Sequence, residues 1–420
     1  MTTADSLSSA PPAGAVQFLG KEAAYWRLRI KGAALLLVTL GIYRFWFATD
    51  VRRYLWSNTE IGGETLEYTG LATELLGGFL LAIAIVVPLY TAIASAALAF
   101  DTKVLTAAVI GVLLVILLSQ FALYRARRYR LTRTVFRGVR FDQHGSAWRY
   151  AFTALAWWSL VILTLGLAYP WAQASLQRLK LRHTCYGDLP GSFEGSASAL
   201  FLRGAPLWLV VIGPVAIGLV LLSVLIDWDA LNTLLAKGDD DAAAEIVGTI
   251  IGVRGFGVAV AAIGASVMAA VLLYPLFQAM VLRWWISGLR FGAVSVTSRL
   301  RAAQVYRVYL RFVSLMFLFM LATLGVVALC LFAISALLGP KHDSSFAELA
   351  VSALTLGLYV GIALGASTIY QVAVSYSMWR LGAQSAELSG ADALDFVRAA
   401  GAPGSALGEG LADALGVGGI

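Results

Sequence analysis

The sequence is poor in charged residues. Only 13% of its 420 residues are Asp, Glu, Lys or Arg, whereas a soluble domain carries about a quarter. Apolar residues make up 60% of the chain, and the mean hydropathy is +0.80. This balance excludes an ordinary soluble domain, because most of the surface cannot face water. It indicates a multi-pass membrane protein.

The residue types that enzymes and metal sites use are also scarce. The chain has three histidines, far apart, and two cysteines, Cys185 and Cys330, without metal-ligand spacing. A glycine-rich phosphate loop followed by lysine is missing, and so is a nucleophile elbow. We therefore expect no catalytic residue, no metal, no cofactor and no enzymatic activity.

Seven uncharged stretches are long enough to cross a membrane, which takes about 20 apolar residues. An eighth, Gly32–Tyr43, has only 12 residues and is too short. The seven are Leu75–Phe100, Val104–Tyr124, Tyr150–Gln177, Gly204–Ile226, Gly255–Leu282, Phe312–Pro340 and Leu349–Trp379.

Two parts of the chain repeat. The block that begins at Thr39 returns 125 positions later, without a gap, at Thr164. The pairs that define it include Gly41 with Gly166 and Trp46 with Trp171. A second similarity, at an offset of 150, pairs Gly138, Arg140 and Phe141 with Gly288, Arg290 and Phe291. Same-direction repeats of this kind predict tandem duplication.

The repeats and the composition divide the chain into five parts. Each of the first two membrane units holds a short apolar helix, a Trp and basic segment, two long spans and a basic exit loop. We expect a disordered N-terminus at 1–17, without a cleaved signal peptide, and a flexible acidic tail at 381–420. The membrane units are predicted at 18–141, 142–291 and, in partial form, 292–380.

The distribution of charge predicts how these units lie in the membrane. The connector Arg125–Arg149 has eight Arg and one Asp, whereas Asp227–Arg254 has six acids. Cytoplasmic loops carry the excess of Lys and Arg, so the basic connectors and both termini are expected inside. We predict an all-α bundle of six long spans and two short re-entrant or interfacial helices. The alternative is eight spans, because Tyr150–Gln177 is long enough to cross.

Several of these segments together resemble the YjgN family of bacterial inner-membrane proteins. The resemblance rests on the repeated "TLG…W…R" block, on "NTEIGGETLEYTG" and "HTCYGDLPGSFEG", and on the basic "FRGVRF" and "SGLRF", and it covers about residues 18–380. It implies an inner-membrane location and a polytopic fold, but no activity. The chain departs from the family pattern in an acidic insertion around Asp239–Asp241 and in its acidic tail.

Basic residues beside the predicted spans are candidates for binding anionic lipid headgroups. The same residues are also consistent with a purely topological role. Nucleic acid is not an expected partner, because the net charge of +7 lies beside apolar spans. The candidates are Arg52, Arg53, Arg125, Arg127, Arg128, Arg130, Arg178, Arg283 and Arg290.

Glycines supply two further predictions. The Gly-bearing segment after each short helix is typical of a small hairpin or tight loop. Gly357, Gly361 and Gly365 share one helix face, which fits internal packing, a homo-oligomer contact or a groove for a solute.

Two functions fit this sequence. The first is a permease or channel-like protein that moves a small solute or lipid. The alternative is a non-transport membrane component that binds anionic lipid, or a protein partner, through its Arg-rich cytoplasmic face.

Overall fold

The computed structural model describes residues 15–99, 104–226, 228–229, 232, 252–338, 344–400 and 405–417. Within these ranges the helices form five antiparallel pairs. The pairs are α1 (Glu22–Val38) with α2 (Arg44–Ser57), α3 (Ala72–Ala99) with α4 (Val104–Thr132), α5 (Ala147–Leu163) with α6 (Tyr169–Arg182), α7 (Ala197–Leu225) with α8 (Gly252–Ser287), and α9 (Ala302–Leu338) with α10 (Ser344–Tyr370). Helix α10 continues through a π-helical turn, Gln371–Tyr376, into α11 (Ser377–Ser385).

Short strands join one helical pair to the next. They are β1 (Val16–Phe18), β2 (Thr59–Ile61), β3 (Glu64–Thr65), β4 (Glu67–Tyr68), β5 (Thr134–Phe136), β6 (Val139–Gln143), β7 (Thr184–Tyr186), β8 (Leu189–Phe193), β9 (Leu289–Phe291), β10 (Val294–Ser298) and β11 (Ala386–Ser389). All their pairings are antiparallel, in the order β1-β2-β3 and β4 to β11. Each helical pair therefore begins and ends at the same sheet.

The strands close into a ring. Only Leu66 separates β3 from β4 along the chain, and Ala15, next to β1, forms a bridge with Glu387 of β11. The fold is therefore helix-rich but not all-α, and this corrects the predicted class. The strands are two to five residues long, too short for the apolar alternation by which strands are recognised in a sequence.

The small hairpins predicted after the two short helices are confirmed. Strands β2 and β3 turn at Gly62 and Gly63, with φ of 58° and 90°, and β7 and β8 turn at Gly187, with φ of 55°. Glycine suits these left-handed positions because it has no Cβ atom.

The first and third helical pairs turn in the same way, 125 residues apart. The hydroxyls of Thr39 and Thr164 accept the N–H groups of Tyr43 at 3.0 Å and Ala168 at 3.1 Å. The glycines that follow the threonines, Gly41 and Gly166, have φ of 90° and 94°. Trp46 and Trp171 are 37% and 41% exposed. The two blocks share one local structure, while duplication and the unit boundaries stay predictions.

The similarity at an offset of 150 does not pair equivalent positions. Gly138 lies in the turn between β5 and β6, whereas Gly288 follows α8 and precedes β9. The glycine and arginine pattern is therefore shared by two different junctions, a strand turn and a helix end.

Within the part of the chain that the structure describes, five segments are long and apolar enough to cross a membrane. They are Ala72–Ala92, Ala197–Leu225, Arg254–Ser287, Ala302–Ala336 and Val351–Ser385. Stretch Tyr150–Gln177, on which the eight-span alternative depended, is not one helix, because Leu165 and Gly166 break it with positive φ.

The two short pairs are built like re-entrant hairpins. Their helices have 17 and 14 residues, or about 25 and 21 Å, and both pairs return to the sheet. The turns expose apolar side chains, with Leu40 93% and Leu165 68% exposed. This geometry favours helices that enter the bilayer and turn back, and the total number of spans stays a prediction.

The C-terminal tail differs from the flexible segment that its composition predicts. It contributes β11, a 3₁₀ turn at Ala391–Phe396 and helix α12 (Leu407–Ala414), which packs against α3 and α4. Gly408 lies against Arg125 and Gly410 against Gly78, where larger side chains would not fit. Of the predicted disordered N-terminus, residues 1–14 lie outside the described residues and Val16–Phe18 forms β1. The acidic insertion at Asp239–Asp241 also lies outside the described residues.

Cysteine labelling tests this arrangement. We expect Trp228→Cys, just beyond the far end of α7, to react with a membrane-impermeant reagent on intact cells. Ser57→Cys and Ser192→Cys, at the sheet, should react only after the membrane is opened, because the basic connectors place the sheet inside. The background would be free of Cys185 and Cys330. Labelling of Ser192→Cys in intact cells would contradict the re-entrant arrangement.

Candidate anion-binding site

Helices α2, α4 and α6 end in the same way at the ring. A threonine follows each helix, and its hydroxyl donates to a carbonyl four residues earlier, at 2.8 Å in all three cases. Each helix then passes directly into a strand. Basic side chains near the ends of the three helices are therefore brought together above the sheet.

We call Arg52, Arg127, Arg130 and Lys180 the cation cluster. Three of the four were predicted from the sequence as anion-binding candidates. Lys180 was not among the candidates, although it lies two residues after Arg178 in the same basic segment.

Glu409, on α12, lies between two members of the cation cluster. Its carboxylate pairs with the guanidinium of Arg52 and lies 4.0 Å from Nε of Arg130. Arg52 is 4% exposed and Glu409 5%, and Arg52 also donates to the hydroxyl of Tyr68 at 3.2 Å. One carboxylate therefore partly neutralises one side of the cluster.

The other side of the cluster has hydrogen-bond donors in excess. Arg127 Nη1 donates to Gln143 Oε1 at 2.8 Å and to Thr184 Oγ1 at 3.0 Å. Lys180 Nζ lies 5.3 Å from the centre of the Tyr150 ring. None of the ion pairs in the described part of the chain includes Arg127 or Lys180. Gln143 is fully buried, and its Nε2 has no partner.

The surplus of positive charge is reflected in the pKa values. Burial lowers the pKa of Lys180 to about 8, and the charges of Arg127 and Arg130 act in the same direction. Burial, assisted by Arg130, lowers the pKa of Arg127 to about 10. Both shifts mean that burial and neighbouring positive charge disfavour the protonated forms of these side chains, so a bound anion would stabilise those forms.

A cavity of about 250 Å³ adjoins the cluster, between the first helical pair, α3 and α12. Arg29, Arg44 and Arg52 line it, opposite Glu409 and Asp413 of the tail. Arg44 pairs with Asp413, so the tail helix carries two of the carboxylates that face these arginines.

The third helical pair builds a different cavity, of about 340 Å³, with α7 and α8. Its lining is almost wholly apolar. At the 125-residue offset, Ala154, Tyr169 and Gln177 stand where the first pair has Arg29, Arg44 and Arg52. The shared scaffold therefore does not require these arginines.

The remaining candidate arginines do not join the cluster. Arg53 and Arg178 donate to the carbonyls of Gly70 at 3.1 Å and Gly195 at 3.2 Å, and so fix the loop after each short pair. Arg290 pairs with Glu194 at 3.1 Å. The other three lie elsewhere on the surface of α4 and α8: Arg125 against Gly408, Arg128 half-buried and Arg283 exposed.

The predicted glycine face is only partly in contact. Gly365 lies against the ring of Phe319 on α9, whereas Gly357 and Gly361 have open space where a Cβ atom would be. Packing within the chain therefore explains one of the three glycines.

The chain matches one sequence family. The family model for a bacterial protein of unknown function, DUF898, covers residues 13–414. No curated protein and no solved structure matches the chain. Within the described residues, no three His, Cys, Asp or Glu side chains are grouped as metal ligands.

The two ion pairs of the tail helix should differ in strength. We expect Glu409→Gln to lower the free energy of unfolding by about 3–5 kcal/mol, because it leaves the buried Arg52 without its carboxylate. Asp413→Asn is the matched control. Its pair with Arg44 is 37–38% exposed, so its loss should cost under about 1 kcal/mol. Equal melting temperatures of the two variants in detergent would contradict this assignment.

Proposed function

We propose a lipid-binding role for this chain, which belongs to DUF898, the YjgN family of bacterial proteins of unknown function. The ligand group is a phosphate of an anionic lipid, bound at the cation cluster. The observations that carry the proposal are two cations, Arg127 and Lys180, without a carboxylate partner among the described residues, and the buried Nε2 of Gln143, without a hydrogen-bond partner there.

A phosphate suits these donors. It offers several oxygens at once, and arginine binds such oxygens through two parallel N–H groups. Because the donors come from α4, α6 and β6, a single oxyanion can bridge three elements. We infer binding without catalysis, since the cluster consists of donors and tyrosine rings.

The position of the cluster supports a lipid as the source of the phosphate. The cluster lies where membrane helices meet the sheet, which is the depth at which headgroups are expected. Basic residues at this depth contribute about 1 kcal/mol each to attraction by an anionic leaflet. The cluster is enclosed by the ends of three helices, so it would select one headgroup more strongly than an open basic surface.

Phosphatidylglycerol binding should depend on pH through Lys180. Without a bound anion, Lys180 loses its proton as the pH rises through about 8, and Arg127, Arg130 and Tyr150 face its ammonium group. A bound anion favours the protonated form. The affinity for the lipid should therefore be highest below pH 8 and fall above it, by at most about tenfold per pH unit. The phosphodiester keeps its charge over this range.

The measurement is lipid affinity of the purified full chain between pH 7 and 9, with phosphatidylcholine as the uncharged reference. Lys180→Met should weaken binding about tenfold at pH 7 and abolish the pH dependence. Lys31→Met, which removes an exposed lysine of α1, is the control and should change neither. Soluble glycerol phosphate that binds as tightly as the lipid would reject the lipid source. A wild-type affinity that stays constant from pH 7 to 9 would reject the role of Lys180.

A second candidate function is movement of a small solute or lipid through the bundle. It is favoured by the apolar cavity of about 340 Å³, which lies beside prolines inside the long helices α7 and α8. Prolines free backbone carbonyls and kink helices, as the discontinuous helices of transporters do.

Liposome experiments test this second candidate. The reconstituted wild-type chain should accelerate the exchange of a labelled lipid between leaflets, and Ala205→Phe, which fills the apolar cavity, should slow it at least several-fold. Gly264→Ala, on α8 in open space, is the control and should leave the rate unchanged. A wild-type rate equal to that of protein-free liposomes would reject transport of lipid.

A further inference from the structure

Arg29 is a buried cation that, within the described residues, interacts with Tyr25 but has no carboxylate partner. It lies on α1, is 8% exposed, and stacks on the ring of Phe47 with its guanidinium 4.5 Å from the ring centre. Its Nε has no hydrogen-bond partner, and none of the ion pairs among the described residues includes it. The carboxylates of Asp413 and Glu409, which also line the cavity, form ion pairs with Arg44 and Arg52.

The fold does not need an arginine at this position. The third helical pair has the same turn and the same return to the sheet, and it carries the fully buried Ala154 at the equivalent point. Phe47, which supports the guanidinium, is matched there by Ala172. Arg29 and Phe47 are therefore additions of the first pair to a scaffold that folds without them.

A second polar group faces the same cavity without a partner. Oε1 of Gln371 is buried and accepts no hydrogen bond. Gln371 is the first residue of the π-helical turn. Such turns widen a helix locally and are frequent at functional sites. The cavity thus presents a donor atom, Nε of Arg29, and an acceptor atom, Oε1 of Gln371, that have no hydrogen-bond partner among the described residues.

The charges in the cavity define the ligand. Arg29, Arg44 and Arg52 supply three positive charges, and Glu409 and Asp413 two negative ones, so one positive charge is left. The rest of the lining includes Phe45, Val51 and Leu75, which are apolar. A ligand that satisfies all these groups carries one negative charge, a hydrogen-bond donor beside it and an apolar body.

We propose that this cavity is a second ligand site, which binds an amphiphilic monoanion with a hydroxyl group next to its charge. The anion pairs with Arg29, the hydroxyl donates to Gln371, and the apolar part lies against Phe47 and Leu75. Both a phosphatidylglycerol headgroup and a free 3-hydroxy fatty acid have this chemistry. The site uses residues outside the donor-rich half of the cation cluster and does not depend on phosphate binding there.

The test measures the affinity of the purified full chain for phosphatidylglycerol and for 3-hydroxyoctanoate, from the concentration dependence of thermal stabilisation. Octanoate, which lacks the hydroxyl, is the matched ligand. Arg29→Ala should fold, because Ala154 occupies the equivalent position, and should weaken binding of at least one probe about tenfold or more. Lys31→Met, which removes an exposed lysine of α1, is the control and should leave that probe's binding unchanged.

The probe that responds to Arg29→Ala identifies the source of the ligand as lipid or free acid. If Arg29→Ala does not fold, Gln371→Leu provides the test. It should reduce the preference for 3-hydroxyoctanoate over octanoate, or for phosphatidylglycerol over phosphatidic acid methyl ester, to about one. The proposal is overturned if neither probe binds, or if both bind the Arg29 and Gln371 variants as they bind the wild type. If Lys180→Met changes the binding of no ligand, phosphate binding at the cation cluster is rejected, whereas the second site in the cavity is not.

Discussion

The rest of the structure depends on the closed ring of strands at one end of the helices. Connecting segments in a membrane protein must satisfy their backbone N–H and C=O groups, and here they do so by pairing with one another. Every helical pair must then begin and end at the ring. This requirement sets the same end geometry for α2, α4 and α6, and so gathers four basic side chains from three helices that are far apart in sequence.

Two of the helical pairs show how one scaffold supports two kinds of cavity. The Thr and Gly turn is the same in both, but the first pair faces its cavity with arginines and the third with Ala154, Tyr169 and Gln177. Polar groups buried without partners are costly. Their concentration around the first pair, and their replacement in the third, support our proposal that they serve a ligand and not the fold.

The sequence was sufficient for most of the apolar helices and for the small glycine hairpins, because each is encoded by neighbouring residues. It was not sufficient for the turns at Thr39 and Thr164, which lie inside the predicted short helix Gly32–Tyr43 and the predicted span Tyr150–Gln177. It was not sufficient for the ring, whose strands are two to five residues long and pair with distant partners. The residues of the candidate site could be predicted from the sequence only in part. Arg52 and Arg53 are adjacent in an identical basic context, yet one is buried against Glu409, 357 residues away, and the other holds a loop. Composition alone could not assign α12 a packed position, since its partners lie on α2, α3 and α4.

The ring also has a consequence for biosynthesis. Strand β1 pairs with β2, but the ring closes only when Ala15, next to β1, meets Glu387 of β11. The hydroxyl of Tyr376 also donates to the carbonyl of Gly20, across 356 residues. The first helical pair is therefore synthesised long before its last neighbours. Gln371 and Glu409, which complete the cavity beside that pair, follow the fifth helical pair along the chain. Ligand capture at this cavity would then distinguish a chain that includes these elements from one truncated before them.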